Sequence, residues 1–179
     1  MTRPVRLMAV IAVLAAAVVT LSASDVKVTP VISDGKVFAS FAAPTALSPD
    51  TFAMIKSGIQ LTLTFVVELK RPSTFIFDRT LGASTLAASV KYDTLTHVYQ
   101  VSKQQDGRVV WSDRTEQEDE MRGWVTAFEK IQLDPGEPLE PNVDYYVQVR
   151  LRTTPKRAFV LWPWTRDDAI GRKDFTFIR

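Results

Sequence analysis

One histidine, no cysteine and scattered acids make up the reactive inventory of this chain. The histidine is His97. With Asp93 just before it and a serine supplied by the fold, it could form a Ser-His-Asp arrangement, in which the imidazole takes the hydroxyl proton and the carboxylate holds the ring. No Gly-x-Ser-x-Gly elbow accompanies it. His97 shares strand parity with Tyr99 and Val101 beside a turn, which predicts a hydrogen-bonded strand-end histidine without a catalytic part. Zinc takes three or four ligands, commonly His or Cys, so this inventory predicts no metal site. It also removes disulfides and thiolate chemistry. Asp167 with Asp168, or the cluster Glu116, Glu118, Asp119 and Glu120, could do acid–base work or hold calcium. No EF-hand loop and no phosphate-cradling Gly-rich motif is present. The expectation is a protein without cofactor or metal and without enzymatic activity.

The chemistry that remains is recognition. Between Thr154 and Arg172 the chain loses strand alternation and carries Trp162, Pro163 and Trp164 close to Lys156, Arg157 and Arg166. Large aromatics beside cations have the composition of an interface anchor. Lys156, Arg157, Trp162, Trp164 and Arg166 are therefore the candidate partner-binding residues. Two other fates suit the same indoles: capping a core or sitting at a membrane–water boundary.

Such residues need a scaffold, and the pattern predicts strands. Ile59, Leu61, Leu63, Phe65, Val67 and Leu69 alternate with Gln60, Thr62, Thr64, Val66 and Glu68, which gives one buried and one wet face. Tyr145, Val147, Val149 and Leu151 alternate in the same way. Val26–Ile32 and Lys36–Ala42 flank the turn residues Ser33, Asp34 and Gly35. Leu86–Tyr92 and His97–Lys103 flank Asp93–Thr96, and Asp106 and Gly107 turn the chain into Arg108–Ser112. Phe175 and Phe177 mark a C-terminal strand. Two helices are expected. A short one runs from Pro49 to Ser57, capped by Ser48. A longer one runs from about Glu116 to Ile131, with a Thr115/Glu118 capping box and an apolar stripe of Met121, Trp124, Val125, Phe128 and Ile131. The fold class expected is mainly β, an antiparallel immunoglobulin-like β-sandwich with one short and one longer helix. The inward set should include Leu61, Leu63, Phe65, Val90, Trp124, Phe128, Val147 and Val149.

The first residues read as an address. Arg3 and Arg6 precede an apolar run, Leu7–Leu21, and then Ser22, Ala23 and Ser24, the order of a secretory signal peptide cut before Asp25. The run is shorter than the ~20 residues a spanning helix needs; retention as an N-terminal anchor is the alternative. The expected layout is a signal peptide over 1–24 and a single domain over 25–179, exported to the periplasm or the exterior. The chain carries 22 Lys plus Arg against 20 Asp plus Glu. Arg3 and Arg6 account for the excess, so the remaining domain is balanced and a general affinity for nucleic acid has no support.

The order of landmarks resembles the bacterial envelope family catalogued as domain of unknown function 4390. The likeness rests on the hairpin at Asp34 and Gly35, and on Ser57, Gly58 and Ile59 before the long strand. It rests also on Tyr92, Asp93, Leu95, Thr96 and Tyr99, and on the Tyr-then-Arg strand Tyr145–Arg152 ahead of a Trp-bearing tail. The match is expected to span the mature chain. The resemblance implies no known activity or cofactor and suggests an envelope-signalling context. The functional expectation is an exported, non-enzymatic sandwich that binds a protein partner in the cell envelope. A carrier of a small or lipidic ligand between the sheets is the alternative, and a hydrolase built on His97 the third reading.

Overall fold

The computed structural model describes residues 26–74, 77–153 and 170–178. Among the described residues nine strands form two antiparallel sheets. The smaller sheet has the order β1 (Lys27–Ser33), β2 (Lys36–Ala42), β7 (Ala127–Leu133). The larger has the order β6 (Arg108–Thr115), β5 (Val98–Gln105), β4 (Arg79–Asp93), β3 (Leu61–Arg71), β8 (Val143–Thr153), β9 (Ile170–Phe177). The expected antiparallel sandwich is present, with three strands facing six.

Period-two alternation decides which side chains lie between the sheets. Leu61, Leu63, Phe65, Val67 and Leu69 of β3 are buried, as are Leu86, Ala88 and Val90 of β4 and Val147, Val149 and Leu151 of β8. Phe41 of β2, Phe128 of β7 and Phe65 of β3 bridge the two sheets, with ring centroids 5.0, 5.3 and 5.5 Å apart pairwise. Two Asp-Gly hairpins set the register. Asp34 with Gly35 and Asp106 with Gly107 all have positive φ, as the two central residues of a type I′ turn require. The second hairpin is also tied to β4, because the Asp106 carboxylate accepts from Thr85 N at 2.8 Å and Ser84 Oγ at 3.1 Å.

The first helix, α1 (Pro49–Lys56), begins as expected: Ser48 Oγ accepts from Thr51 N at 3.2 Å. The chain then folds back, with Ile59 N bonded to Met54 O. Ile59 thus lies before β3 and is half exposed, instead of starting the strand. At this end Tyr92 and Tyr99 pack 4.7 Å apart, and the Lys56 ammonium lies over both rings. The Tyr99 hydroxyl is buried without a directed hydrogen bond. Lys56 lies beside it, and that contact, above all, raises the Lys56 pKa.

The longer helix is corrected. α2 spans Glu118–Thr126, and Phe128 and Ile131 belong to β7. Their spacing of three, which imitates a helical stripe, comes from a β-bulge. Ala39 pairs with Ile131 while Phe41 pairs with Phe128, so β7 carries one extra residue. Lys130 absorbs the bend with a φ of 52° and donates its N–H to Ser40 Oγ at 3.1 Å. The capping box also differs. Gln117 is the N-cap; Thr115 Oγ1 accepts from Gln117 N and donates to Glu120, not Glu118. Glu118 pairs instead with Arg122 at 2.8 Å. Trp124 is only partly buried, packed edge-on against Trp111 at 4.9 Å. Among the described residues no helix is long and apolar enough to cross a membrane.

Candidate functional site: the outer face of the large sheet

The residues that alternate with the core cover the solvent side of the six-stranded sheet, and register lines them up in rows. Thr62 lies opposite Ser89, Ser89 opposite Ser102, and Ser102 opposite Ser112, which makes a hydroxyl row across β3, β4, β5 and β6. Thr62 Oγ1 and Ser89 Oγ are 2.9 Å apart and share a hydrogen bond. In the next row Lys91 lies opposite Gln100 and Gln100 opposite Arg114. All of these except Thr62, together with Gln60 and Asp113, line an open concavity of about 500 Å3.

The two halves of this face differ in charge. Towards β8 and β9, Lys70, Arg150 and Arg172 are matched. Glu68, mostly buried, has Oε2 at 2.9 Å from Arg150 and 3.3 Å from Lys70. Neither contact is a directed hydrogen bond, so proximity of charge alone holds it. The Arg172 guanidinium stacks 3.7 Å from the Tyr146 ring centre and pairs with Asp174 at 2.7 Å. The Tyr146 hydroxyl donates to Asp78 at 2.6 Å. Towards β6 the cations are unmatched. Among the described residues neither Lys91 nor Arg114 forms an ion pair. The nearby Asp113 carboxylate accepts from the Arg114 N–H at 2.8 Å. Neutral donors with free cations suit carboxylate or phosphate groups. Among the described residues no hydrogen bond links a groove serine to an imidazole or a carboxylate, the contact that activates a serine nucleophile.

Tyr146 yields a prediction. Burial first, then the bond to Asp78, pushes its pKa from 10.0 up to about 12. The folded state holds this proton more tightly than the unfolded chain, so the stabilisation is complete below pH 10 and lost as pH rises towards about 12. Asp78 shifts the other way, lowered from 3.8 first by the Tyr146 hydroxyl and next by the Ser73 N–H. Its contribution is present above that value and fades as pH falls below it. Urea unfolding should show the stability difference between wild type and Tyr146→Phe shrinking across the alkaline window. A difference that does not change with pH there contradicts this account.

His97 stands apart from the groove. It has a φ of 58° and belongs to the turn before β5, not to the strand, because the Asp93 carboxylate caps that turn by accepting from Leu95 N and Thr96 N. Its Nδ1 is 3.0 Å from the Tyr92 hydroxyl. Asp93 is thus occupied by backbone, and no Ser-His-Asp geometry forms around His97 among the described residues. Lys156, Arg157, Trp162, Trp164 and Arg166 all lie outside the described residues, as do residues 1–24, read above as a signal peptide. The groove itself leaves no local trace in the sequence, because its rows join residues 9 to 27 positions apart that only strand register brings together.

An antiparallel two-sheet scaffold with a cation-bearing groove on the outer face of its large sheet is the class of molecule that these features define. The chain belongs to the family described as Domain of unknown function (DUF4390), whose family model matches residues 20–158. This is the family expected from its landmarks. The matched region stops at residue 158, short of the span expected, and leaves Trp162, Trp164, Arg166 and β9 beyond it. Neither curated proteins nor solved structures give a match.

Proposed function

We propose that this is an exported, non-enzymatic sandwich protein that binds a protein partner in the cell envelope, and that the groove on the outer face of the large sheet is a docking surface. The observation that carries the reading is the charge contrast on one sheet face. Lys70, Arg150 and Arg172 are neutralised in place, whereas among the described residues Lys91 and Arg114 form no ion pair and stand among hydroxyl and amide donors. The leader-like start of the sequence supports export. The carrier alternative needs room between the sheets, where Phe41, Phe65 and Phe128 interlock.

The test is capture from an envelope extract by the mature protein. Lys91→Glu with Arg114→Glu should abolish capture of the partner while the melting temperature stays near wild type, because both side chains lie on the wet face. Trp162→Ala with Trp164→Ala tests the anchors read from the sequence; it should weaken the same capture without unfolding the domain. Capture that survives both double variants removes the reading. A lipid recovered in stoichiometric amount from purified protein favours the carrier instead.

A further inference from the structure

Apart from the docking proposed above, we infer that the domain rests on a lipid bilayer by one end of the sandwich, with Met54, Ile59 and Leu95 entering the membrane surface. This is the end where β3 and β5 begin and β4 finishes. Helix α1 closes there in a Schellman turn. Gly58 N bonds to Ile55 O at 2.8 Å and Ile59 N to Met54 O at 3.2 Å, with Gly58 at a φ of 83°. That motif commonly sets two apolar side chains against each other. Here they are Ile59 and Met54, and they stay 51% and 41% exposed. The β4–β5 turn abuts them, since a Cβ at Gly58 would lie 3.7 Å from Thr94 Cγ2. Leu95, next to Thr94, is 90% exposed. It is held outward: the Asp93 carboxylate accepts from Leu95 N at 2.9 Å and Thr96 N at 3.1 Å. An apolar patch fixed in two capped turns, and unused by the core, marks a contact surface.

The route of the chain points to a bilayer as the occupant. Val26, Thr153 and Ile170, where the longer stretches outside the described residues join the fold, all lie at this end. Val26 packs against Gly171, the second residue of β9, where a Cβ would come within 2.5 Å of its carbonyl oxygen. Thr153 pairs with Leu63 near the start of β3, and Ile170 with Arg150. In sequence, the joined stretches carry the apolar run Leu7–Leu21 and Trp162 with Trp164 among cations, the residue types of a membrane and its boundary. Charge does not choose the surface. Lys56 lies over the Tyr92 and Tyr99 rings, Glu118 is paired with Arg122, Glu120 is bonded to Thr115, and Glu116 and Asp119 balance Lys91 and Arg114. The contact is therefore apolar, driven by area removed from water.

The test floats the mature chain through a density gradient with vesicles of phosphatidylethanolamine and phosphatidylglycerol. It should float with them and keep floating as salt rises, because salt screens charge and not apolar burial. Met54→Gln, Ile59→Gln and Leu95→Gln together should cut the bound fraction tenfold or more with the melting temperature near wild type. Lys91→Glu with Arg114→Glu should leave it unchanged. Phe77→Gln with Ile178→Gln, exposed positions at the opposite end, should do the same. The chain has no cysteine, so Leu95→Cys carries a single environment-sensitive fluorophore. Its emission should shift to the blue only when vesicles are added, which reads insertion even if the triple variant melts early. A protein that does not float, or a folded triple variant that floats as well as wild type, overturns the inference. Binding lost in salt or on charge reversal, or lost only with the far-end pair, also overturns it. So does a label already blue-shifted without vesicles: a shift that fades on dilution means a second copy covers this end, and one that persists means a segment of this chain does. Failure here leaves the groove reading standing, since its capture experiment does not touch these three residues.

Discussion

Replacing Phe65 by alanine is expected to destabilise the domain by about 3–5 kcal/mol, a large part of the roughly 5–15 kcal/mol that holds a typical domain folded. Its ring is fully buried and touches both Phe41 and Phe128. It is therefore the β3 member of the contact that joins the sheets. Truncation removes apolar burial and leaves a void that rigid strands on both sides fill poorly. Urea unfolding with a two-state fit reads the cost directly. A loss below about 1 kcal/mol would mean that the sheets do not depend on this contact, since even trimming a buried side chain by one methyl group costs about that much.

A second large effect is expected at Gly82 of β4, for a different reason. A Cβ built there would lie 2.5 Å from the carbonyl oxygen of Asp134 and 3.1 Å from its carbon. The obstruction is backbone, not the end of a flexible side chain. The segment after β7 is held in place by Gly136 N bonded to Leu81 O at 3.1 Å, and by the pairs Arg79–Glu137 and Arg71–Glu140 at 3.0 and 2.6 Å. Gly82→Ala must therefore push β4 and this connector apart, at a cost of about 1–3 kcal/mol. Gly123, inside α2, has no atom near the Cβ position. There alanine should stabilise by about 1 kcal/mol through helix propensity. Opposite signs from one substitution type, measured by thermal or urea unfolding, separate close approach from simple backbone freedom. Equal signs would contradict the packing described.

Most of the scaffold was legible because burial imposes a period. The β3 and β8 alternations, the two Asp-Gly hairpins and the Ser48 cap are local signals, and each appears in the structure where its residues suggested. The misreadings share one cause: a tertiary partner that altered a local period. Phe128 and Ile131 look helical in sequence because the bulge opposite Ser40 gives a strand three-residue spacing. Ile59 continues the strand alternation in sequence, but the backbone bond to Met54 holds it out of the ladder. His97 keeps strand parity on paper, yet the Asp93 cap takes it into the turn. The groove left no local trace at all. Thr62, Ser89, Ser102 and Ser112 are ordinary wet-face residues until register sets them side by side, and Lys91 and Arg114 differ from Lys70 and Arg150 in forming no ion pair among the described residues.

Docking at the groove is tested most directly by photo-crosslinking in intact cells. A photoreactive amino acid is placed at Ser102 in the groove and, as a control, at Val31, an exposed position on β1 of the other sheet. The docking account predicts one discrete adduct with an envelope protein from Ser102, lost when Lys91→Glu and Arg114→Glu are combined with it, and none from Val31. An adduct from Val31 alone, or a Ser102 adduct indifferent to charge reversal, would contradict it.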